Sequence, residues 1–378
     1  MSGWRFPGTP ILSTSSIDWQ RVLTTFEWLS PLATCPQDPI YHAEGDVLTH
    51  TRMVCEALMA EPAWQRLNEA DRSLLFAAAL LHDVAKPQTT QVEQGRIRSP
   101  GHAQMGARQV QRLLYHRWHT SLPPIPFAHR QQIAALVRFH GLPLWFWEKE
   151  SPARSVILAS QEVRMDLLAL LAKADVLGRE CADQSQLLER IALFEEFCTE
   201  QNCFEQPYPF ANSLSRFLYF QHSERDPAYT AFDDTRGEVI LMSGLPGAGK
   251  DTWIQANLLH LPVISLDAMR SEMDISPTDD QSPIIVRAKD EARQHLRTGR
   301  SFVWNATNIT RMIRTPLIRL CTDYKMRVRI VYIEAHWQEL LRRNQVRSQP
   351  VPEEILLRLA DKLEPPRIGE AWEVKFAV

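Results

Sequence analysis

Over residues 17–201 apolar positions return with a helical period. Val47, His50, Val54 and Leu58 fall on one helix face, and Leu74, Ala78, Leu81, His82 and Ala85 on another. The stretches 165–174 and 187–197 continue the pattern, with no convincing strand series between them. The character changes over 203–236. Pro207, Pro209, Pro227, several aromatics and the polar run Asp233-Asp-Thr-Arg-Gly237 read as a connection between domains, its aromatics packing on one or both of them. Beyond it, short apolar runs alternate with helical ones. Strands are expected at 238–243, 262–266, 301–305 and 327–334, and helices at 249–259, 283–298, 311–325, 335–347 and 353–362. That alternation predicts a parallel sheet with helices on both faces. The chain thus divides into an all-α domain (1–202), a linker (203–236) and an α/β domain (237–378).

Composition adds limits. At 378 residues, 44% hydrophobic and 23% charged, the chain has ordinary globular proportions. No apolar run approaches a membrane span, so no membrane contact is expected. Residues 1–16 lack the basic stretch and apolar core of a secretory leader. Cys35, Cys55, Cys181, Cys198, Cys203 and Cys321 are scattered without a CxxC pair, which predicts reduced thiols and a cytoplasmic location. The net charge of −3 is uneven: from Arg236 onward there are 21 Lys and Arg against 18 Asp and Glu, and before it 21 against 27. A slightly basic C-terminal half suits a polyanionic substrate, but the excess is too small to imply non-specific nucleic-acid binding.

The most informative stretch runs from Glu238 to Thr252. An apolar run ends at Gly244, and Gly247, Ala248, Gly249 and Lys250 follow. This is the spacing of a P-loop, whose backbone N–H groups wrap the phosphates of ATP or another NTP. The glycines permit the tight bend, Lys250 would reach the β- and γ-phosphates, and the following helix turns its positive end toward them. The hydroxyl that ordinarily binds Mg²⁺ is replaced by Asp251, which leaves Asp251 as a metal-side residue and Thr252 as the candidate hydroxyl.

In the helical half, His82-Asp83 stands at the end of an apolar helix, with Lys86 just beyond. His50 lies upstream; His102, His140 and Asp175 lie downstream. One histidine on an apolar face is ordinarily a satisfied core residue, but adjacent ionisable groups inside an apolar segment are costly without a metal or partner. Imidazole and carboxylate suit Zn, Mn, Fe, Co or Ni. The series resembles the HD-superfamily phosphohydrolases. The resemblance implies that His50, His82, Asp83 and Asp175 ligate one metal, that His102 and His140 serve a second, and that Lys86 contacts a phosphate. His116, His119 and His129 match no position of that pattern and are expected as surface or core residues.

Four further features accompany the glycine loop. Asp267 and Arg270 follow a strand end, where α/β sheets place their ligands. Trp304-Asn-Ala-Thr-Asn308 ends the next strand. Arg343 and Arg347 lie four apart in a basic helix that suits a lid over ATP phosphates. Together these resemble the polynucleotide 5′-hydroxyl kinases. The resemblance implies Asp267 as general base, Arg270 on the acceptor's phosphate, Arg343 and Arg347 as donor clamp, and Thr307 and Asn308 on the polynucleotide side.

In this order the two halves resemble the bacterial HD-domain/polynucleotide kinase fusions. That implies ATP-dependent phosphorylation of 5′-OH ends and metal-dependent clearing of 2′,3′-cyclic, 2′- or 3′-phosphate ends. RNA or DNA ends would be the substrates, and a polynucleotide ligase a further partner. Two other readings stand beside it: a small-molecule or nucleoside kinase joined to a nucleotidase, and a nucleotide-sensing regulator whose helical half is a silent pocket.

Overall fold

The computed structural model describes residues 4–12, 16–276, 279–347 and 350–378, so the stretch read for a leader lies partly outside the described residues. The chain folds as two compact units, Met1–Pro209 and Phe210–Val378.

The first unit is helical. Its main helices are α1 (Val47–Ala60), α2 (Glu69–Leu81), α3 (His102–Leu114), α4 (Phe127–Phe139), α5 (Met165–Leu177) and α6 (Gln184–Glu200). Local chemistry starts them: the Asp46 carboxylate accepts from Thr49 N, and the Asn68 side chain accepts from Asp71 N. Helix α2 carries an unbroken apolar run, Leu74 to Leu81, and all of it is buried between α1, α4 and α5. An all-round apolar helix belongs in the middle of a core. It also delivers the residue that caps its C-terminal end, His82, into the interior. A short antiparallel hairpin, Gln91–Glu93 with Arg96–Arg98, interrupts the helices; its strands lie at the surface and, with one apolar residue each, are too short to show a period.

The second unit begins with α7 (Ser213–Gln221), inside the expected connection. Asn212 caps it, and Phe217 stacks on Trp372 with ring centroids 4.4 Å apart. The apolar side chains of 203–236 are divided accordingly: aromatic Phe204 and Tyr208 pack on the core of the first unit, whereas Phe217, with Leu214 and Ala231, joins that of the second.

Five strands follow: β1 (Gly237–Ser243), β2 (Val263–Ser265), β3 (Phe302–Asn305), β4 (Met326–Ile333) and β5 (Glu373–Ala377). They form one parallel sheet in the order β2-β3-β1-β4-β5. The helices between them are α8 (Lys250–Asn257), α9 (Leu266–Glu272), α10 (Ser282–Thr298), α11 (Arg311–Asp323), α12 (Trp337–Gln345) and α13 (Glu353–Lys362). Central strand β1 is covered on both sides. Val239 and Leu241 meet Leu296, Leu317 and Ile318, while Ile240 and Met242 meet Ile254 and Leu258. This explains the continuous apolar run that predicts it. Edge strand β5 alternates half-buried Val374 with exposed Lys375 and falls outside the expected strands. Helix α12 stops at Gln345, so Arg347 lies beyond it rather than on one helical face with Arg343.

Because all five strands are parallel, their C-terminal ends share one edge of the sheet. Asn305 ends β3 at that edge, and the helices that follow β1, β2 and β4 carry Lys250, Asp267 and Arg343.

Candidate active sites

The first unit gathers six predicted ligands. His50, His82 and Asp175 bring one ligand atom each within 4.8 Å of one another, and Asp83, His102 and His140 do the same. Asp83 faces both groups. Its Oδ2 lies 3.2 Å from His82 Nε2 and 3.9 Å from His50 Nε2, and its Oδ1 lies 3.5 Å from His102 Nε2. The family resemblance assigns Asp83 to one group alone; the geometry places it between the two. His50 Nε2 also lies 3.0 Å from Asp175 Oδ1.

The rings are held from behind. His82 Nδ1 donates to Ala79 O, His102 Nδ1 to Ser99 O and His140 Nδ1 to Val137 O, at 2.7, 2.8 and 2.8 Å. His50 Nδ1 donates to Gly178 O at 3.2 Å. A carbonyl only accepts, so each Nδ1 carries the hydrogen and each Nε2 turns inward. The two inward nitrogens of His102 and His140 stand 3.2 Å apart.

This donor set fits a divalent cation. His82 Nε2 and Asp83 Oδ1 are buried without a hydrogen-bond partner among the described residues. Burial would raise both carboxyls, but the charges of His82 and Lys86 hold Asp83, and that of Arg179 holds Asp175, well below the usual range. Two ionised carboxylates thus stand among inward imidazole nitrogens. His140 is driven down to about 3, chiefly by burial and then by the neighbouring histidines, and stays neutral. His82 goes the other way: burial lowers it, but Asp83 and Asp175 outweigh burial. A proton and a metal ion would therefore compete for His82.

Two cations flank the cluster. Lys86 Nζ stands 2.7 Å from Asp83 Oδ2, and Arg179 reaches Asp175 with Nη2 at 2.5 Å and Nε at 3.1 Å. Arg179 escapes the sequence pattern; its only signal there is its place one helical turn after Asp175. The group His42, Glu44 and His50 escapes it too, because it draws on a loop without periodicity. Of the histidines set aside, His129 packs against Trp4 with its ring tilted, His119 accepts from Ser121, and His116 is buried and belongs to none of the ligand groups found among the described residues.

In the second unit, the loop from Gly244 to Gly249 requires glycine. Gly244 has φ +148°, and a Cβ there would sit 2.3 Å from Ile333 O; Gly249 has φ +108°. Lys250 Nζ donates to Gly244 O and Leu245 O, each at 3.0 Å. Burial drives its pKa down to about 8, against the opposing charges of Asp251 and Asp267. Asp251 and Thr252 lie exposed on the first turn of α8, and buried Ala248 precedes it. Arg343 Nη1 donates to Ala248 O at 3.2 Å, which brings that guanidinium onto the glycine loop. Arg347, although past the helix, lies close enough to act electrostatically on Lys250. Asp267 opens α9 with 76% of its side chain exposed, and Arg270 Nη1 lies 2.5 Å from its Oδ1.

Asn308 does not face the ligand edge as expected. It is buried with φ +42°, and its Nδ2 donates to Met242 O at 2.7 Å. Its own carbonyl accepts from Ser243 Oγ and from Arg314, which is fully buried and paired with Glu370. The geometry makes it part of the frame that holds the end of β1. Thr307 contributes to the same frame, its carbonyl accepting from Gly244 N at 2.9 Å.

Comparison with known proteins agrees with this division. Residues 47–175 match the family described as the HD domain, and residues 239–366 match the family described as an AAA domain. Among solved structures, a candidate kinase from Chloroflexus aurantiacus is similar at 21% identity, over 38% of this chain and 86% of that one; its TM-score of 0.33 is too low to decide anything. The chain joins an N-terminal HD domain to a C-terminal P-loop, kinase-like AAA domain.

Proposed function

We propose that this protein heals broken nucleic-acid ends. The P-loop domain phosphorylates 5′-OH polynucleotide ends with ATP and Mg²⁺, and the HD domain removes 2′,3′-cyclic, 2′- or 3′-phosphates. RNA ends are the intended substrate, with DNA as a second, and a polynucleotide ligase receives the product.

The observation that carries this reading is the Asp267–Arg270 pair at the C-terminal end of β2, near enough to Lys250 for Asp267 to act on its charge. Asp267 accepts the proton of the attacking hydroxyl, while Lys250 and Arg343 hold the donor phosphates. Arg270 is now bound to Asp267 and to Gln281. A phosphate on the acceptor competes for that guanidinium and leaves the carboxylate free as a base.

In the HD domain, a divalent ion supplies water activation and positive charge for the phosphoryl oxygens. The chain's own part is to orient four imidazoles, to keep Asp83 and Asp175 ionised, and to offer Lys86 and Arg179 to the phosphate. Asp83 and Asp175 are both buried, whereas Lys86 and Arg179 are each partly open to solvent.

The test is an assay on oligonucleotides with defined ends, across Mg²⁺, Mn²⁺, Co²⁺, Ni²⁺ and Zn²⁺. Transfer of labelled phosphate to 5′-OH ends and loss of 2′,3′-phosphates are expected. The small charge excess of the C-terminal half leaves room for a second reading, in which the acceptor is a small molecule or nucleoside. Phosphorylation of nucleosides but not of oligonucleotides would establish it. A protein with neither activity would instead be a nucleotide sensor.

A further inference from the structure

We infer that Glu44 is a positioning residue for the metal centre, acting through His50. The inference rests on reading the histidine–aspartate cluster as a metal site.

Glu44 lies in the loop before α1, and its side chain is 1% exposed. Its Oε1 stands 2.9 Å from His50 Nδ1, closer than the Gly178 carbonyl at 3.2 Å. The contact is on the far side of the ring from Nε2, the nitrogen that faces Asp175 and Asp83. Glu44 therefore does not compete for the inward position. It acts on the nitrogen that must keep its hydrogen if Nε2 is to remain a lone-pair donor. A carboxylate behind a ligating imidazole fixes its tautomer and raises its basicity.

Glu44 is itself fixed. The same Oε1 takes a 2.8 Å hydrogen bond with His42 Nδ1, and Oε2 accepts from Glu180 N at 3.0 Å. Ala43 N donates to Glu180 O at 3.0 Å, so the loop is stitched to the turn that follows Asp175. Gln37 Nε2 reaches Glu44 Oε1 at 3.5 Å, while Gln37 Oε1 accepts from Lys86 Nζ at 2.6 Å. One buried carboxylate is thus tied to His50, to the segment after Asp175 and, through Gln37, to the lysine after the His82-Asp83 doublet. A mere loop staple would need only the bond to Glu180 N. Beyond that staple, the same carboxylate contacts two imidazole nitrogens, one of them on a ring of the cluster.

The test separates charge from stapling. Glu44→Gln keeps an oxygen for Glu180 N but loses the charge, whereas Glu44→Asp keeps the charge. The readouts are the dissociation constant for Co²⁺ alone, measured on the full chain by titration, and the visible spectrum of bound Co²⁺. Glu44→Gln should weaken Co²⁺ binding by about 10–100-fold and shift the spectrum, at an unchanged melting temperature for the second unit. Glu44→Asp should recover most of the affinity, and it carries the test if the Gln variant does not fold. If Glu44→Gln binds Co²⁺ as tightly as wild type while His50→Ala does not, Glu44 is only a staple and the inference fails. It fails equally if Glu44→Asp is folded and as weak as His50→Ala. If His50→Ala also binds normally, the metal reading itself is wrong and the inference falls with it.

Discussion

Asn305 Nδ2 donates to Asp251 Oδ1 at 2.6 Å, joining the end of β3 to the first turn after the glycine loop. Asn305 is buried, and its own Oδ1 has no hydrogen-bond partner among the described residues. The pair accounts for a carboxylate in a position that ordinarily holds a hydroxyl. A free carboxylate beside phosphates would repel them; one held by an amide is kept in a fixed direction.

Removing that restraint should matter only while Asp251 is present. Asn305→Ala should weaken MgATP binding about tenfold or more, the scale of a hydrogen bond to a charged group. In an Asp251→Ser background, where a hydroxyl is restored, the same change should cost little. Calorimetric affinities for the four proteins of this cycle check the coupling. Equal losses in both backgrounds would mean that Asn305 acts on something other than Asp251.

Lys250 gives a pH dependence. Its amine, brought down to about 8 by burial, is charged below that pH and neutral above it. Bound phosphate favours the charged form and raises the pKa in the complex. Between those two values nucleotide binding therefore takes up a proton, and affinity falls as pH rises above about 8. Binding enthalpies at about pH 8.5 in buffers of different ionisation heat measure the uptake. Lys250→Ala should abolish the uptake and kinase activity together, leaving the HD phosphatase intact.

Arg343 touches the glycine loop from within α12, whereas Arg347, beyond its end, acts on Lys250 only through its charge. Each Ala variant should lose about 10²-fold or more in kcat for phosphoryl transfer. Wild-type rates for both would reduce them to surface charge.

In the HD domain, Asp83→Ala removes the carboxylate that faces both ligand groups. Metal content and removal of 2′,3′-phosphates should fall together, while 5′ phosphorylation persists. His119→Ala, at an exposed histidine bonded to Ser121, is the control and should change neither. Metal affinity should also drop as pH falls, because protons compete for His82, whose pKa the two carboxylates raise. Elemental analysis and phosphate release on the same preparation test both statements.

What is legible in the sequence is what local backbone rules enforce. The glycine loop is readable because Gly244 and Gly249 occupy positions no side chain tolerates. Strand β1 is readable because both of its faces are buried. The metal ligands are legible by resemblance, through their order rather than their spacing. Glu44 and Arg179 are not legible, since a loop residue and a residue past a helix end carry no periodicity. Asn308 misleads because a polar residue at a strand end looks like a ligand contact; only packing shows that its amide is spent on Met242 O. Arg347 misleads through helix length, as α12 ends two residues earlier than the charge pattern suggests.

The backing of the four imidazoles has a consequence for robustness. His82, His102 and His140 each lean on a carbonyl three residues back in their own chain segment. Those rings carry their aim with them wherever the segment goes. His50 alone borrows its support from outside its own helix, from distant Gly178 and from the Glu44 loop just before it. A small slip of α1 against α5 would leave three rings correctly set and turn the fourth. Heat or dilute denaturant should thus turn His50 before the other three rings, and the seam between those two helices sets the tolerance of the whole cluster.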